Sequence, residues 1–150
     1  MKIRKATKKD FEEYYKLKQD ETEEYSRLIK KRMKLPPKSK LKKEFNTFLS
    51  DKNTFIFVIE EDNKLIAYFQ GSLLKSIWEN FGYIDDIFVS RKFRRQGLGT
   101  KLIKNFIKIL KSKKIKKIRI GVNSENKKAL LLYKKLGFKI THYEMDKRLK

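Results

Sequence analysis

Residues 94–103 read RRQGLGTKLI, and this stretch decides both the fold and the type of ligand that the sequence predicts. The chain has only six glycines, yet Gly97 and Gly99 lie one residue apart between a strand-like segment and an amphipathic one. Glycine lets the backbone approach a ligand closely and adopt conformations that side chains exclude. Successive N–H groups at a helix start bind phosphate oxygens, helped by the positive end of the helix dipole. The turn therefore predicts a site for an anionic cofactor with a pyrophosphate group.

Two familiar phosphate-binding motifs do not fit this turn. A dinucleotide-binding fingerprint needs a third glycine where this chain has Leu102, and an acidic residue after the next strand, which is missing. A Walker P-loop ends in Gly-Lys-Ser/Thr, and the chain has no such segment. Arg94, Arg95 and Lys101 instead surround the turn with positive charge. The alternative that the glycines only form a tight turn before a helix stays open at this point.

Hydrophobic patterns along the chain predict an α/β (α+β) protein with a mixed sheet of six to seven strands and about four helices on its two faces. The predicted strands are residues 2–6, 54–60, 65–71, 83–89 and 117–122, with one or two more in 138–146; the second and third form a hairpin. The first predicted helix begins after a capping-box-like Thr7 and Asp10, and a second helical stretch ends at Pro36-Pro37. Further helices are predicted at 41–49, 101–110 and 124–138, and Gly137 closes the last of them.

Composition favours one folded, cytoplasmic domain over residues 1–150. This length is enough to bury one core, and an aromatic content of 13% argues against disorder. No apolar run approaches the roughly 18 residues that span a bilayer, and the first ten residues lack the apolar core of a signal peptide. The chain has no cysteine, which excludes disulfides and a cysteine nucleophile. The single histidine, His142, is expected at the surface, and no metal site is predicted.

The formal net charge of +22 raises the alternative of a nucleic-acid-binding protein, because Lys and Arg release counterions from phosphates. The excess is mostly lysine and is spread along the whole chain, as on a solvated lysine-rich surface. It also suits an anionic phosphate cofactor. A nucleic-acid- or ribosome-associated binding protein, or an enzyme that acetylates such a protein, therefore stays as the alternative.

The segment VSRKFRRQGLGTKLI resembles motif A of the GNAT N-acetyltransferases, whose core, Arg/Gln-x-x-Gly-x-Gly/Ala, is matched by Arg94, Gly97 and Gly99. The strand IRIGV and then NSENKKALLLYKKLGFK follow, and this helical segment is similar to a second motif of that family. Its matching residues are Asn126, Ala129, Tyr133, Gly137 and Phe138. The resemblance is tight over residues 83–140 and looser at IRKATKKDFEE. It predicts the GNAT fold, with splayed central strands.

The resemblance implies acetyl-CoA as the cofactor, lying between the splayed strands IDDIFV and KIRIGV. Backbone groups of Ile87, Phe88 and Val89 are expected to pair with the pantetheine arm as another strand would. An N–H near Val89 is expected to polarise the thioester carbonyl, and Asn126 to bond the arm near its thiol end. The pyrophosphate is assigned to the backbone amides of Arg95, Gln96, Gly97, Leu98, Gly99 and Thr100, with Arg94 beside them.

Acetyl transfer to an amine also needs an acid for the leaving thiolate, and Tyr133 is the candidate. An ordinary tyrosine pKa of about 10 keeps the hydroxyl protonated and able to donate at neutral pH. Helical spacing places Asn126, Ala129 and Tyr133 on one face. The alternative is a purely structural aromatic, although the neighbouring leucines can fill the core without it. Because there is no cysteine to carry the acetyl group, direct transfer in a ternary complex is expected.

Asp85 and Asp86 are the candidates for the base. Two adjacent carboxylates inside an apolar strand are costly unless they border a solvated cleft or pair with cations. Since side chains alternate along a strand, one is expected on the substrate side and the other on the opposite face. In the resembling family an acidic residue at this point often serves as base, commonly through water, and the polyamine acetyltransferases carry a similar pair. Salt bridges with the abundant lysines are the structural alternative.

No motif names the acceptor, but local charge suggests its class. Nearby carboxylates outweigh distant, salt-screened lysines, so we expect a primary amine that arrives protonated, such as a polyamine, an amino sugar or a lysine side chain. Glu79, just upstream, is expected to add to this local field. The variable first helices and the segment LLKSIWENFG are expected to set specificity. The sequence leaves a homodimer and a nucleic-acid partner open and predicts no membrane association.

Overall fold

All 150 residues are described by the computed structural model, in which five strands form one mixed sheet. In chain order the strands are β1 (Lys2–Lys5), β2 (Thr54–Glu61), β3 (Lys64–Lys75), β4 (Asn80–Val89) and β5 (Ile118–Ile120). They lie side by side in the same order, with β1 to β4 antiparallel and β5 parallel to β4. Parallel neighbours need a crossover, which here contains the helix that follows the glycine turn.

Four helices cover the two faces of the sheet. They are α1 (Phe11–Leu28), α2 (Lys38–Ser50), α3 (Leu98–Ser112) and α4 (Lys127–Lys135). Helices α1 and α2 lie on one face, where Tyr14 and Phe45 pack with Tyr68 of β3. Helices α3 and α4 lie on the other, where the ring of Phe106 packs 5.1 Å from that of Phe69. No helix is both long enough and apolar enough to cross a membrane.

The centre of the sheet opens where β4 and β5 part. The two strands pair only from Gly82 opposite Ile118 to Ile84 opposite Ile120, whereas β4 continues to Val89. A β-bulge lies where they separate, because Gln70 of β3 pairs with Asp86 and the next residue pairs with Ile84, which leaves Asp85 without a partner. Bulges bend the strand and increase its twist. The predicted splay of IDDIFV and KIRIGV is therefore present.

The prediction of six to seven strands was wrong, since the sheet has five. The expected strand or strands in residues 138–146 are absent, and this segment has no regular structure. Phe138 packs against the core, but the apolar residues after it are exposed, Tyr143 by 84% and Met145 by 90%. Alternation in sequence indicates a strand only if a neighbouring strand supplies backbone partners, and this segment pairs with none.

The two helical stretches predicted before Pro36-Pro37 are one continuous helix, α1, which ends earlier than expected. No breaker separates its early aromatic residues from Tyr25, so the helix runs without interruption to Leu28. Lys30 then takes a left-handed conformation with φ of +52°, which ends the helical path well before the prolines. The other predicted helices, the β2–β3 hairpin and the closing Gly137, with φ of +90°, are confirmed.

An ion-pair cluster of Arg4, Asp10 and Glu60 joins β1 to the start of α1 and to β2, and its contribution to stability can be tested. Both carboxylate oxygens of buried Asp10 accept hydrogen bonds from the Arg4 guanidinium, at 2.8 and 2.9 Å, and Arg4 also contacts Glu60 at 2.6 Å. The backbone N–H of Thr7 donates to Asp10 at 2.7 Å. The Arg4 hydrogen bond holds the pKa of Asp10 below its usual range.

We expect Asp10→Asn to lower the free energy of unfolding by about 2 kcal/mol at pH 7, because the buried carboxylate loses its charged partner. A carboxyl with a depressed pKa stabilises the fold above its unfolded pKa, and this contribution disappears as pH falls through the folded pKa. The difference from wild type should therefore shrink below pH 4, as measured by urea unfolding at several pH values. Asp20→Asn, an exposed control on α1, should change stability by less than about 0.5 kcal/mol. An equal loss in both variants would contradict the assignment.

Candidate cofactor and acceptor site

The turn before α3 presents a row of free backbone donors. Gly97 caps the helix with φ of +73° and Arg95 has φ of +66°, so two nearby residues are in the left-handed region. None of the backbone N–H groups of residues 95–100 donates a hydrogen bond to another group of the chain; the first helical bond is donated by Lys101 to the Gly97 carbonyl. Such concave rows of N–H groups, placed at the positive end of a helix dipole, bind anions. This arrangement fits the pyrophosphate assigned to Arg95, Gln96, Gly97, Leu98, Gly99 and Thr100.

The two glycines of the turn differ in what surrounds them. A β-carbon added at Gly97 would meet nothing within 4 Å, so that position faces open space beside the free N–H groups. A β-carbon at Gly99 would lie 3.9 to 4.0 Å from Leu132, Ile87 and Val89. These are ordinary van der Waals distances. Position 99 therefore has room for a methyl group and faces the protein interior, whereas position 97 borders the cradle.

Arg94 ties the turn to its surroundings. Its Nε donates to the Val89 carbonyl at 2.8 Å, its Nη2 contacts Glu24 of α1 at 2.7 Å, and its guanidinium lies over the Phe88 ring at 5.4 Å. Much of its charge is thus already matched within the chain. Arg94 holds the entrance of the turn against α1 and β4, and the neighbouring backbone remains free to bind an anion.

The edge of β4 that faces β5 is open after Ile84. The N–H of Ser90 donates to the Ile66 carbonyl of β3, and hydrogen-bonded residues alternate along an antiparallel ladder. Phe88 therefore bonds to β3, while Ile87 and Val89 direct their peptide groups toward the open edge. Of the three residues expected to pair with the pantetheine arm, two have the required orientation. The carbonyl of Val89 is taken by Arg94, but its N–H is free.

Tyr133 and Asn126 lie on α4 as the spacing predicted. Tyr133 is buried, packs edge-on against Phe138 with ring centroids 5.7 Å apart, and is part of the core. Its hydroxyl has no hydrogen-bond partner in the chain, yet it is not sealed from solvent. Burial and the charge of Asp86 raise the pKa of Tyr133 to about 12, which keeps it protonated. Asn126 caps α4, since its Oδ1 accepts from the Ala129 N–H at 3.1 Å, and its amide nitrogen remains available.

Both aspartates lie toward the α1 face of the sheet, which corrects the expectation that they point to opposite faces. The Ser72 hydroxyl donates to Asp85 at 2.5 Å and the Tyr68 hydroxyl donates to Asp86 at 2.9 Å. Tyr68, Gln70 and Ser72 alternate along β3 and share the face that α1 covers. The β-bulge at Asp85 inserts one residue and interrupts the alternation on β4.

Asp86 belongs to a largely buried polar network with α1. The Lys18 ammonium lies 2.5 Å from Asp86 and 2.7 Å from Glu21, and over the Tyr68 ring at 5.4 Å. The Tyr68 hydroxyl also lies 2.5 Å from Glu21. Burial acts to raise the pKa of Asp86, but Glu21, Lys18 and Tyr68 hydrogen-bond or attract its charged form and lower it overall. Burial and the neighbouring Asp86 raise the pKa of Glu21 to about 7.

Asp85 has a different environment. It is exposed, and its only side-chain partner is Ser72. Partial removal of its carboxyl from water raises its pKa despite the hydrogen bond from Ser72, with the charge of Asp86 adding to the rise. It thus borders solvent beside the open edge of β4, where an incoming molecule has access to it.

Two other residues that the sequence analysis considered, Glu79 and His142, lie outside this site. Glu79 is paired with Lys117 and Arg119, at the opposite end of β4. It lies six positions before Asp85, about 20 Å along an extended strand, so the expectation that it adds to the local field was wrong. His142 is exposed in the C-terminal segment, and its ring contacts only Thr141.

Sequence reasoning missed the contribution of α1 to the site. Lys18 and Glu21 line Asp86, Glu24 binds Arg94, and the Tyr25 hydroxyl accepts a hydrogen bond from Asn123 at 3.3 Å. Asn123 follows β5, so this last contact joins α1 to the chain that leaves β5. A signal was present: Lys18 and Glu21 are three residues apart on the helix face that buries Tyr14 and Leu17.

The splayed strands, the row of free N–H groups at a helix start and the hydroxyl on the following helix belong to an α/β protein, and they fit a phosphate-bearing cofactor lying along an open strand edge. The profile of the Acetyltransferase (GNAT) family matches residues 9–138. The chain belongs to this family, as the resemblance in the motifs indicated. Family membership does not favour the nucleic-acid-binding alternative.

Relatives of known name agree with this assignment. The mouse thialysine N-epsilon-acetyltransferase is 44% identical over 55 residues, which are 37% of this chain and 32% of the mouse protein, so the match spans about a third of that relative. The N-alpha-acetyltransferase of Sulfurisphaera tokodaii is 30% identical over 115 residues, covering 68% of this chain and 69% of that protein. Among solved structures, a mutant of the BH1408 protein from Bacillus halodurans superposes with a TM-score of 0.89 at 22% identity, covering 99% of this chain and all of that one. At this identity the likeness establishes the fold.

Proposed function

We propose that this protein is an N-acetyltransferase that binds acetyl-CoA at the turn before α3 and transfers the acetyl group directly to a primary amine. The observation that carries the proposal is the row of unpaired N–H groups at residues 95–100, which lies at the end of the open β4 edge. An anion held at the turn and an arm paired with Ile87 and Val89 account for both features. The names of the relatives, which specify amine acetylation, support this choice.

Bound acetyl-CoA supplies the acetyl thioester, and the chain supplies orientation and proton transfer. The free N–H of Val89 is placed to donate to a carbonyl oxygen beside β4, and such a fixed donor stabilises negative charge that develops there. The Tyr133 hydroxyl, protonated because burial raises its pKa to about 12, donates the proton that a leaving sulfur requires. The amide nitrogen of Asn126 adds a donor at the start of α4.

The acceptor in this proposal is a small or side-chain amine that carries positive charge. Asp86 and Glu21 share one internal cation, Lys18, and Asp85 is not paired with any cation, so the cleft has more acidic than basic groups although the chain has a net charge of +22. Nearby charges act at short range, whereas distant lysines are screened by salt. Exposed Asp85 binds the incoming ammonium, and Asp86 takes up its proton, directly or through water.

The proposal is tested by the release of CoA thiol in the presence of a panel of amines: spermidine, an aminoglycoside, free lysine and a peptide with a free N-terminus. Because the chain has no cysteine, a thiol-reactive dye reports only the CoA that is released. We expect turnover with at least one amine, confirmed by the mass of the acetylated product. Binding of acetyl-CoA without turnover on any amine would contradict the transferase assignment, and absence of binding would contradict the cofactor assignment as well.

Asp85→Asn and Asp86→Asn are expected to separate substrate binding from proton uptake. Asp85→Asn should raise the KM for the best amine about 10-fold with little change in kcat, because it removes a surface contact with the ammonium. Asp86→Asn should lower kcat about 30-fold and flatten its pH profile, since the nearby carboxyls replace it only in part. Steady-state kinetics between pH 6 and 9 measures both effects. Asp62→Asn, in the β2–β3 turn, removes one negative charge far from the site and serves as control. Wild-type kinetics in both site variants would show that the pair is structural.

A further inference from the structure

The Glu21–Asp86 pair lies where α1 meets β4. Its geometry implies that one of the two carboxyls carries a proton. A phenol has a single hydrogen, yet the Tyr68 hydroxyl lies within hydrogen-bond distance of Glu21 at 2.5 Å and of Asp86 at 2.9 Å. Tyr68 can donate one of these bonds well. The other is satisfied when the carboxyl itself carries a proton and donates it.

The charges in this network lead to the same conclusion. Every charged or titratable group that faces Glu21 is on one of three elements: Lys18 and Tyr14 on α1, Tyr68 on β3 and Asp86 on β4. Glu44 of α2 and Tyr133 of α4 act one step further away, through Tyr14 and Asp86. Two carboxylates against one ammonium leave a net negative charge in a largely buried space, which is costly. One additional proton neutralises it.

We propose that Glu21 and Asp86 act as one proton-holding pair, and that Glu21, through Asp86, sets the pH at which the acceptor amine is deprotonated. Glu21 is in this scheme a positioning residue, since Asp86 lies next to the open edge and Glu21 lies behind it. This proposal rests on the acetyltransferase function proposed above.

The proton balance of the reaction is complete with these groups. The ammonium gives one N–H proton to the pair, and its nitrogen lone pair then forms the new C–N bond while the C–S bond breaks. The sulfur takes its proton from the Tyr133 hydroxyl, and the second proton lost by the nitrogen restores that hydroxyl. The pair then releases its proton to solvent. One proton is released for each amide formed.

The pair can accept a proton only when it is empty, which fixes the sign of the pH dependence. With the pKa of Glu21 raised to about 7, kcat at saturating substrates should rise through pH 7 as the pair loses its proton. In Glu21→Gln, Asp86 is left with Lys18 and Tyr68, so its carboxyl stays ionised at lower pH. We expect the acidic limb of the kcat profile to move down by at least about two pH units, and kcat on the plateau to fall about 10-fold because a weaker base remains.

Two control variants exclude other sources of this limb. Glu23→Gln removes the same charge from α1 at an exposed residue that pairs only with Arg27, and it should leave the profile unchanged. His142→Gln removes the only histidine, and it should also leave the limb in place. Tyr68→Phe keeps the ring and removes a hydroxyl that stabilises the ionised form of Asp86, so it should move the limb to higher pH, opposite to Glu21→Gln.

A second measurement is independent of catalysis. Carbon-13 NMR of the side-chain carboxyls of the wild-type protein follows only 18 acidic residues, and the pair should appear as resonances that titrate near pH 7, well apart from the ordinary values near 4. If all carboxyls titrate below pH 5, the shared proton does not exist and the proposal is overturned. If Glu21→Gln loses rate without moving the limb, its role is only structural, which also overturns it. If the resonances behave as expected but no amine is acetylated, the proposed function has failed and the proton-holding pair has not.

Discussion

Replacing Gly97 with valine should weaken the binding of acetyl-CoA at least about 100-fold while leaving the protein folded. Gly97 has φ of +73°, and a β-branched residue there costs about 1 to 2 kcal/mol in backbone strain alone. Relief of that strain would turn the peptide groups of the cradle away from their common direction. The valine side chain would also occupy the open space beside the free N–H groups, which is empty within 4 Å of the added carbon.

The matched control for this experiment is Gly99→Ala, two residues further on. Its added methyl group meets Leu132, Ile87 and Val89 at ordinary distances and does not face the cradle. We therefore expect near-wild-type affinity in this variant. Isothermal titration with acetyl-CoA, together with thermal unfolding of the free proteins, separates lost binding from lost folding. A folded Gly97→Val protein with unchanged affinity would show that the turn does not hold the pyrophosphate.

The elements that sequence predicted correctly are those whose pattern is local. Helix α3 buries Leu102, Phe106 and Leu110, which recur at helical spacing, and Gly97 marks its start by a conformation that glycine favours. The β2–β3 hairpin has β-branched and aromatic residues on both sides of a polar turn. In these segments hydrophobic periodicity and turn residues agree with the fold, so a single sequence is sufficient to predict the elements.

The errors concern features that depend on distant partners. The segment after Gly137 alternates like a strand, but no neighbouring strand pairs with it. The orientation of Asp85 and Asp86 depends on a β-bulge, and the residues IDDIFV do not indicate one. Such a bulge becomes visible only when the register with β3 is known. The assumption that side chains alternate strictly between the two faces of β4 therefore failed at the candidate site. β-Bulges are common next to active sites, so this is a place where such an assumption often fails.

The candidate site was predicted in part for the same reason. The turn was found from its own residues, and Tyr133 was found from the resemblance to the second GNAT motif; both belong to contiguous segments. Lys18 and Glu21 are more than sixty residues from Asp86 in sequence, and only the packing of α1 against β4 brings the three together. A lysine and a glutamate on a helix most often form an exposed pair. Their position on the helix face of Tyr14 and Leu17 indicates burial but does not identify Asp86 as the partner.

Removing the hydroxyl of Tyr133 tests the acid in the proposed mechanism. Tyr133→Phe keeps the ring that packs against Phe138, so the core should remain intact and thermal stability should change little. The hydroxyl has no partner in the chain, which means that no hydrogen bond of the free protein is lost. A residue with those properties contributes its hydroxyl to a ligand or to catalysis, because packing requires only the ring.

We expect Tyr133→Phe to lower kcat about 100-fold with the KM for the amine nearly unchanged, because general acids of this kind contribute about 10² or more to rate. The burial that raises the pKa of Tyr133 to about 12 predicts that wild-type kcat declines only at strongly alkaline pH, and this decline should be missing in the variant. Tyr143→Phe, at an exposed position of the C-terminal segment, is the matched control and should be silent. Single-turnover measurements ensure that acetyl transfer is the step observed. Wild-type rates for Tyr133→Phe under those conditions would remove the residue from the mechanism and assign proton donation to water.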